Sequence, residues 1–210
     1  MTPEQLRHIL SALPREPRPM PLRSDVDLNP GVPLPSALRP AAVLVPLVLR
    51  PDGVKVALTL RQPHLSEHAG QVSFPGGRID PHDKDAAAAA LREADEEIGL
   101  KARQVEVLGW LDPYVTITGY RVAPLVGFVA PDVVWQPSAH EVAEVFEVPI
   151  GFFLQPDACR IAEGKLPSHE PRKYYIYNYE QRVIWGATAA MLVNLAQLLG
   201  VQRIEHRHEA

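Results

Sequence analysis

Apolar residues recur with two different periods along this chain, and the change of period marks out its elements. Residues 42–49 and 54–60 are β-rich apolar runs joined by Pro51-Asp52-Gly53, which predicts a hairpin. Gln71-Val72-Ser73-Phe74 then leads into a double glycine, Gly76-Gly77. Residues 104–111 and 120–129 are two more strand candidates, separated by Asp112-Pro113 and a Thr-rich, Gly-containing loop. Pro124 in the second run predicts an edge, a bulge or a strand start at that point, because it cannot donate to a ladder. Residues 172–177, Arg-Lys-Tyr-Tyr-Ile-Tyr, alternate as a strand carrying basic and aromatic groups. That strand would meet a base or a phosphate, or simply complete a structural hairpin.

Helical spacing appears in four places. Thr2-Pro3-Glu4 with Leu6, Ile9 and Leu10 predicts a short capped amphipathic helix. Met191, Leu192, Leu195, Leu198 and Leu199 predict a closing helix over 189–199. In 138–149, Glu141, Glu144 and Glu147 fall at helical intervals beside Val142, Val145 and Phe146, so an amphipathic helical turn is expected. The longest pattern runs over 84–98, which has no Pro or Gly and is filled with Ala, Leu, Arg and Glu. Asp83 suits its N-cap, Asp85 its first turn, and Gly99 its C′ position. At about 100° per residue, Ala87, Leu91, Ala94 and Ile98 form one apolar stripe, and Glu93, Glu96 and Glu97 cluster roughly 140° away, facing outward.

Three carboxylates so close on one helix repel by a few tenths of a kcal/mol per pair, a cost that a divalent cation removes. Mg²⁺ takes oxygen ligands and often shares them with phosphate, so the cluster suits a phosphate-processing site. Arg92 reaches Glu96 one turn on. An isolated acidic helix face is ordinarily just solvated. Here the double glycine just upstream lets backbone approach a ligand closely, which favours the metal reading.

Composition narrows the classes. The 210 residues, 46% of them hydrophobic, are ample for one core of ordinary domain size. A net charge of −4 leaves no basic footprint for nucleic acid, so a polyanionic substrate would be met by metal and by local arginines. Cys159 is the only cysteine, so no intrachain disulfide forms and a reducing cytoplasm is the expected setting. No apolar run approaches the ~18 residues of a membrane span, and residues 1–13 lack the basic region followed by an apolar region that marks a secretory signal. Prolines 14, 17, 19, 21, 30, 33, 35 and 40 predict an extended arm that packs on the domain or contacts a second copy in a homodimer. The expected division is residues 1–40 as helix and arm, 41–200 as the catalytic domain, and 201–210 as a tail. The two histidines of the tail, His206 and His208, have no supporting ligands nearby in sequence.

The segment 74–100 resembles the Nudix box: a glycine, a spaced glutamate, then Arg-Glu-apolar-x-Glu-Glu-x-Gly-apolar. Arg92, Glu93, Ala94, Glu96, Glu97, Gly99 and Leu100 match its second half in full. The first half is one residue longer than the strict pattern and leaves Asp83 near the missing acid, an expansion similar to the Nudix branch that hydrolyses coenzyme A. Upstream, Leu58-Thr59-Leu60-Arg61, Gly70 and Phe74-Pro75-Gly76-Gly77 are similar to that branch's second motif, although the second arginine of the motif is Ser66 here.

The resemblance implies an α/β fold, a mixed sheet in an α/β/α sandwich with the box as a loop-helix-loop motif. It implies Mg²⁺-dependent, or Mn²⁺-dependent, hydrolysis of a nucleoside diphosphate derivative. Metal ligands would be Glu93, Glu96 and Glu97, and catalytic residues Arg92, Glu96 and Glu141, with Glu144 second to Glu141 as general base. Substrate would meet Arg61, Gly76, Gly77 and Arg121, with Tyr114, Thr116 and Thr118 as further specificity candidates. His68 is expected to be a loop or core histidine rather than a ligand. Coenzyme A is the substrate the expansion favours; ADP-ribose, a dinucleotide polyphosphate or an oxidised nucleoside triphosphate are the alternatives. A non-catalytic nucleotide sensor or an adaptor on the same fold is a further one.

Overall fold

A strand of 12 residues, β2 (Arg39–Arg50), carries side chains into both halves of the core. Ala42, Leu44 and Val48 are buried in one apolar cluster, Ala41, Val45 and Leu47 in the other. This is the alternation expected when a strand is covered on both faces. The computed structural model describes residues 1–19, 23–65, 68–165 and 171–201. Ser66, His206 and His208 lie outside them.

The main sheet is mixed. β2 pairs antiparallel with β3 (Gly53–Arg61) through the two-residue turn Pro51-Asp52, and parallel with β8 (Tyr120–Val129). β3 continues antiparallel to β4 (Val72–Ser73) and to β9 (Val142–Pro149), while β5 (Gly76–Arg78) pairs with the start of β2. On the other side β8 pairs with β6 (Val105–Trp110) and β7 (Tyr114–Val115), and β7 holds the two-residue β1 (Arg23–Ser24). A second sheet of three antiparallel strands follows: β10 (Cys159–Lys165), β11 (Pro171–Tyr179) and β12 (Arg182–Trp185). Residues 172–177 therefore lie in a structural sheet.

Helices cover both faces. α2 (Ala86–Ile98) buries Ala89, Ala90, Ala94 and Ile98 in the cluster that includes Ala42 and Leu44. α1 (Pro3–Leu10), α3 (Ile150–Phe153) and α4 (Gly186–Leu198) contribute to the opposite cluster. α1 has the expected Thr2 cap and buries Leu6 and Leu10 completely. Among the described residues, no helix is long and apolar enough to cross a membrane.

Four expectations are corrected. Residues 142–149 form a strand, because β3 offers an open edge and Phe146 and Val148 bury alternate side chains in one core cluster, while Val142, past an irregularity in the pairing, is buried in the other. Strand β2 starts at Arg39, inside the expected arm, and includes Pro40 and Pro46. Pro46 falls in the interval between the partners β5, at residues 41–43, and β3, at residues 47–50. Pro124, likewise, lies in a central strand, in the interval between β7 and β6, where its carbonyl accepts from the Leu111 N–H. In both places the missing proline N–H falls where the antiparallel neighbour changes. Finally, α2 starts at Ala86 with Asp85 as its cap, accepting from Ala88 N at 2.8 Å, because Asp83 is engaged elsewhere.

Among the contacts that hold the arm, one carboxylate meets two donors. Asp25 accepts from the buried Tyr114 hydroxyl at 2.6 Å and from Ile117 N at 2.8 Å. Burial and the neighbouring Asp25 hold the Tyr114 phenol protonated. Asp25→Ala strips a charged acceptor from two donors at once, so a loss of roughly 2–3 kcal/mol is expected as a lowered urea midpoint. An unchanged midpoint would mean that the arm rests on the domain without anchoring it.

Candidate active site

Helix geometry and the double glycine together place Glu97. Glu97 does not face outward as its angular position suggested: it is 2% exposed, on the side of α2 that meets the sheet. One carboxylate oxygen accepts from Gly76 N at 3.2 Å and the other lies 3.4 Å from the Arg61 guanidinium. Gly76 has φ +154°, and a Cβ there would sit 2.5 Å from the Ala42 carbonyl oxygen, so only glycine carries this backbone past β2. Burial pushes the Glu97 carboxyl up to about 7, aided by the charges of Glu93 and Glu141 and opposed by Gly76 N–H and Arg61. Glu93 is also raised, by burial first and then by Glu96 and Glu141, against the pull of Arg92.

Arg92 organises the outer side. Its Nε and Nη2 bond the two oxygens of Asp83 at 2.9 and 3.0 Å, a fork-to-fork pair, and its Nη1 bonds Glu93 at 2.9 Å and Glu96 at 3.0 Å. The guanidinium holds Asp83 below the usual carboxylate range. Only the Arg92–Glu96 contact was readable from sequence spacing. The Asp83 partner was missed because an acid before a helix reads equally well as a cap, and its place near the missing acid of the box names no partner.

Gly77 completes the inner wall. A Cβ on it would lie 2.6 Å from the Glu93 carboxyl group. Gly77→Ala is expected to keep the fold, since the end of Glu93 can turn away, and to cut kcat/KM at least ~10-fold by displacing that carboxylate. The check is a thermal melt beside steady-state kinetics; full activity would show that Glu93's position is unimportant.

Of the other expected residues, Glu141 lies in the turn before β9, close enough for its charge to raise both Glu93 and Glu97. Its carbonyl accepts from Gln62 N at 2.9 Å, which ties this turn to the end of β3. Glu144 is drawn away into an ion pair with Arg182. Arg121 donates to the Arg18 carbonyl at 2.9 Å, on the arm. Tyr114 is bonded to Asp25, and Thr116 to Thr118 and Tyr120 N, so these hydroxyls shape the loop before β8. His68 is an exposed loop residue bonded to Gln71. Among the described residues, no three acidic, His or Cys side chains are closed into a finished cation cage. The acids have instead turned to Arg61, Gly76 and Arg92 as partners.

A family model described as the NUDIX domain matches residues 38–172, and the chain belongs to the Nudix hydrolase family. It is accordingly a pyrophosphohydrolase acting on a nucleotide derivative. The protein named "Uncharacterized Nudix hydrolase NudL" of Escherichia coli K12 is 43% identical over 170 residues, covering 78% of this chain and 84% of that protein. Its namesake in Salmonella paratyphi B is 42% identical over 164 residues, with the same coverage of 78% and 84%. Among solved structures, the Nudix hydrolase RenU of M. smegmatis aligns at 26% identity and a TM-score of 0.47, over 55% of this chain and 73% of that one.

Proposed function

We propose that the chain hydrolyses the pyrophosphate bond of coenzyme A or its acyl derivatives, giving 3′,5′-ADP and 4′-phosphopantetheine. The observation that supports this is the contact of Arg61 with Glu97, across 36 residues of sequence. It folds the upstream segment that resembles the coenzyme A branch onto the acids of the hydrolytic box. Gly76, from the Phe-Pro-Gly-Gly end of the same segment, donates to the same carboxylate.

The donor set fits a hard divalent cation. Glu93, Glu96 and Glu97 offer only carboxylate oxygens, and burial with mutual charge makes Glu93 and Glu97 reluctant to ionise without added positive charge. Mg²⁺, or Mn²⁺ in its place, would be held by these three and would supply charge against the pyrophosphate and a more acidic water. Arg92 orients Glu93 and Glu96, and Arg61 pairs with two oxygens of a phosphate. The Glu141 carboxylate takes the proton of the attacking water while the bridging oxygen leaves with its electron pair. Glu96, the most exposed of the three acids, faces the solvent side from which a water arrives. The buried free thiol of Cys159 accords with a reducing cytoplasm as the working compartment.

The test is a panel: coenzyme A, an acyl-coenzyme A, ADP-ribose, NADH, diadenosine polyphosphates and dNTPs with Mg²⁺, products identified by mass. Coenzyme A is expected to yield 3′,5′-ADP. Efficient cleavage of another member with none from coenzyme A would move the substrate elsewhere in the family, in line with Ser66 standing where the motif has arginine.

A further inference from the structure

The segment between β8 and β9, residues 130–141, crosses the C-terminal end of α2 and carries Glu141. A helix leaves its last carbonyls without partners of its own, and this segment supplies them. The Gln136 N–H donates to the Ile98 carbonyl at 2.9 Å, and the Ser138 N–H to the carbonyl of Glu97 itself at 2.8 Å. The approach is close, since a Cβ on Gly99 would lie 2.7 Å from the Gln136 Cβ. Just beyond, the Ser138 carbonyl accepts from the N–H groups of Glu141 and Val142, and the Gln62 side chain donates to the Ala139 carbonyl at 2.9 Å. The backbone of the buried acid and the turn bearing Glu141 are therefore tied together.

The near end of the segment is fastened from the far side of the sheet's edge. Arg50, the last residue of β2, donates to the Pro131 carbonyl at 2.6 Å and to the Val133 carbonyl at 3.4 Å. The same guanidinium forks onto Glu147 of β9, at 2.6 and 3.0 Å to its two oxygens. The Trp135 indole N–H then donates to that carboxylate at 2.8 Å. Burial works against ionising Glu147, but the fork and the indole N–H outweigh it and hold the carboxyl below the usual carboxylate range. A surface connection can leave its carbonyls to water. This one is held at 131, 133 and 135 by charge-assisted donors and acceptors before it reaches α2. Such bracing matches what a base on a loop requires, because a displacement of about 1 Å can cost ~100-fold in rate.

We propose that Arg50, Glu147 and Trp135 are positioning residues for the reaction: they fasten the 130–141 segment across the end of α2 and so hold Glu141 beside Glu93 and Glu97. This rests on the reading of Glu141 as the base for the attacking water. The competing role for the trio is an anchor for packing alone, felt in stability and not in the chemistry.

Trp135→Phe separates the two, since it keeps the ring and removes the N–H. Its kcat on coenzyme A, or on the panel member that the wild type cleaves, is expected to fall at least ~10-fold with KM nearly constant. Glu141→Gln should fall at least ~100-fold, and the double variant should be no slower than Glu141→Gln to within about 2-fold, because both losses run through one group. Hydrogen exchange at the Gln136, Ser138 and Glu141 amides should quicken at least ~10-fold in Trp135→Phe while β3 is unchanged. Glu147→Gln should act in the same direction, and it carries the comparison if Trp135→Phe does not fold. Unchanged exchange with an inactive Glu141→Gln overturns the fastening and leaves the base in place. A fully active Glu141→Gln removes the base, and the positioning role with it. Unchanged kcat in both folded buckle variants, or a loss that multiplies in full with that of Glu141→Gln, reduces the trio to a packing anchor.

Discussion

Glu97→Gln is expected to reduce turnover at least ~100-fold, on the scale of losing one preorganised electrostatic group, while making the metal-free protein more stable at pH 8. The two effects come from one cause. Burial raises the folded-state carboxyl from an ordinary 4.5 to about 7. Between those values the folded chain holds a proton that the unfolded chain releases, so stability falls as pH rises through the window and the loss is complete above it. The full cost is roughly 3 kcal/mol at 1.36 kcal/mol per pKa unit. Glutamine never ionises and still accepts from Gly76 N, but it leaves Arg61 without its anion, so a net gain of about 1–2 kcal/mol is expected at pH 8. Below pH 4.5 the gain vanishes, because both forms are then neutral. Urea unfolding at pH 4 and pH 8 without metal measures this directly, and a variant less stable than wild type at both would show that Glu97 is a structural anion. Added Mg²⁺ should raise the wild-type melting temperature at pH 8 more than that of the variant, because only the wild type retains the full ligand set.

Arg92→Met has the opposite signature: activity and stability fall together. The guanidinium satisfies Asp83, Glu93 and Glu96, and the Asp83 side chain is only 6% exposed. Removing it leaves a nearly buried carboxylate with no cation and lets three acids repel. Breaking a buried pair costs about 3–5 kcal/mol, and with Arg92 itself one-third exposed roughly 2–3 kcal/mol is expected here. Turnover should fall at least ~100-fold, since Glu93 and Glu96 lose their orienting partner. Arg92→Lys should restore much of the stability and little of the activity, because an ammonium supplies the charge without the fork. Equal recovery of both would reduce Arg92 to a simple counter-ion.

The comparison of sequence with structure divides along the range of the interactions. The hairpin of β2 and β3, the strand β8, the capped α1 and the closing α4 are set by local pattern and turn chemistry, and they stand where the pattern puts them. What the pattern misplaces is decided by partners far away in sequence. Residues 142–149 offer apolar side chains at both helical (142, 145, 146) and alternating (146, 148) intervals, and the free edge of β3 selects the strand. Asp83 and Asp85 are equivalent as caps until Arg92 takes the former. Angular position on α2 separates Glu97 from the apolar stripe, yet the Gly76 N–H, a backbone donor in the glycine turn, draws its carboxylate inward.

The most direct measurement of the central claim is product analysis of coenzyme A incubated with Mg²⁺ and either wild-type protein or folded Glu97→Gln. Wild type should release 3′,5′-ADP and 4′-phosphopantetheine, and the variant should release at most about a hundredth as much. Equal product from both proteins would contradict the assignment of the reaction to the acids of α2.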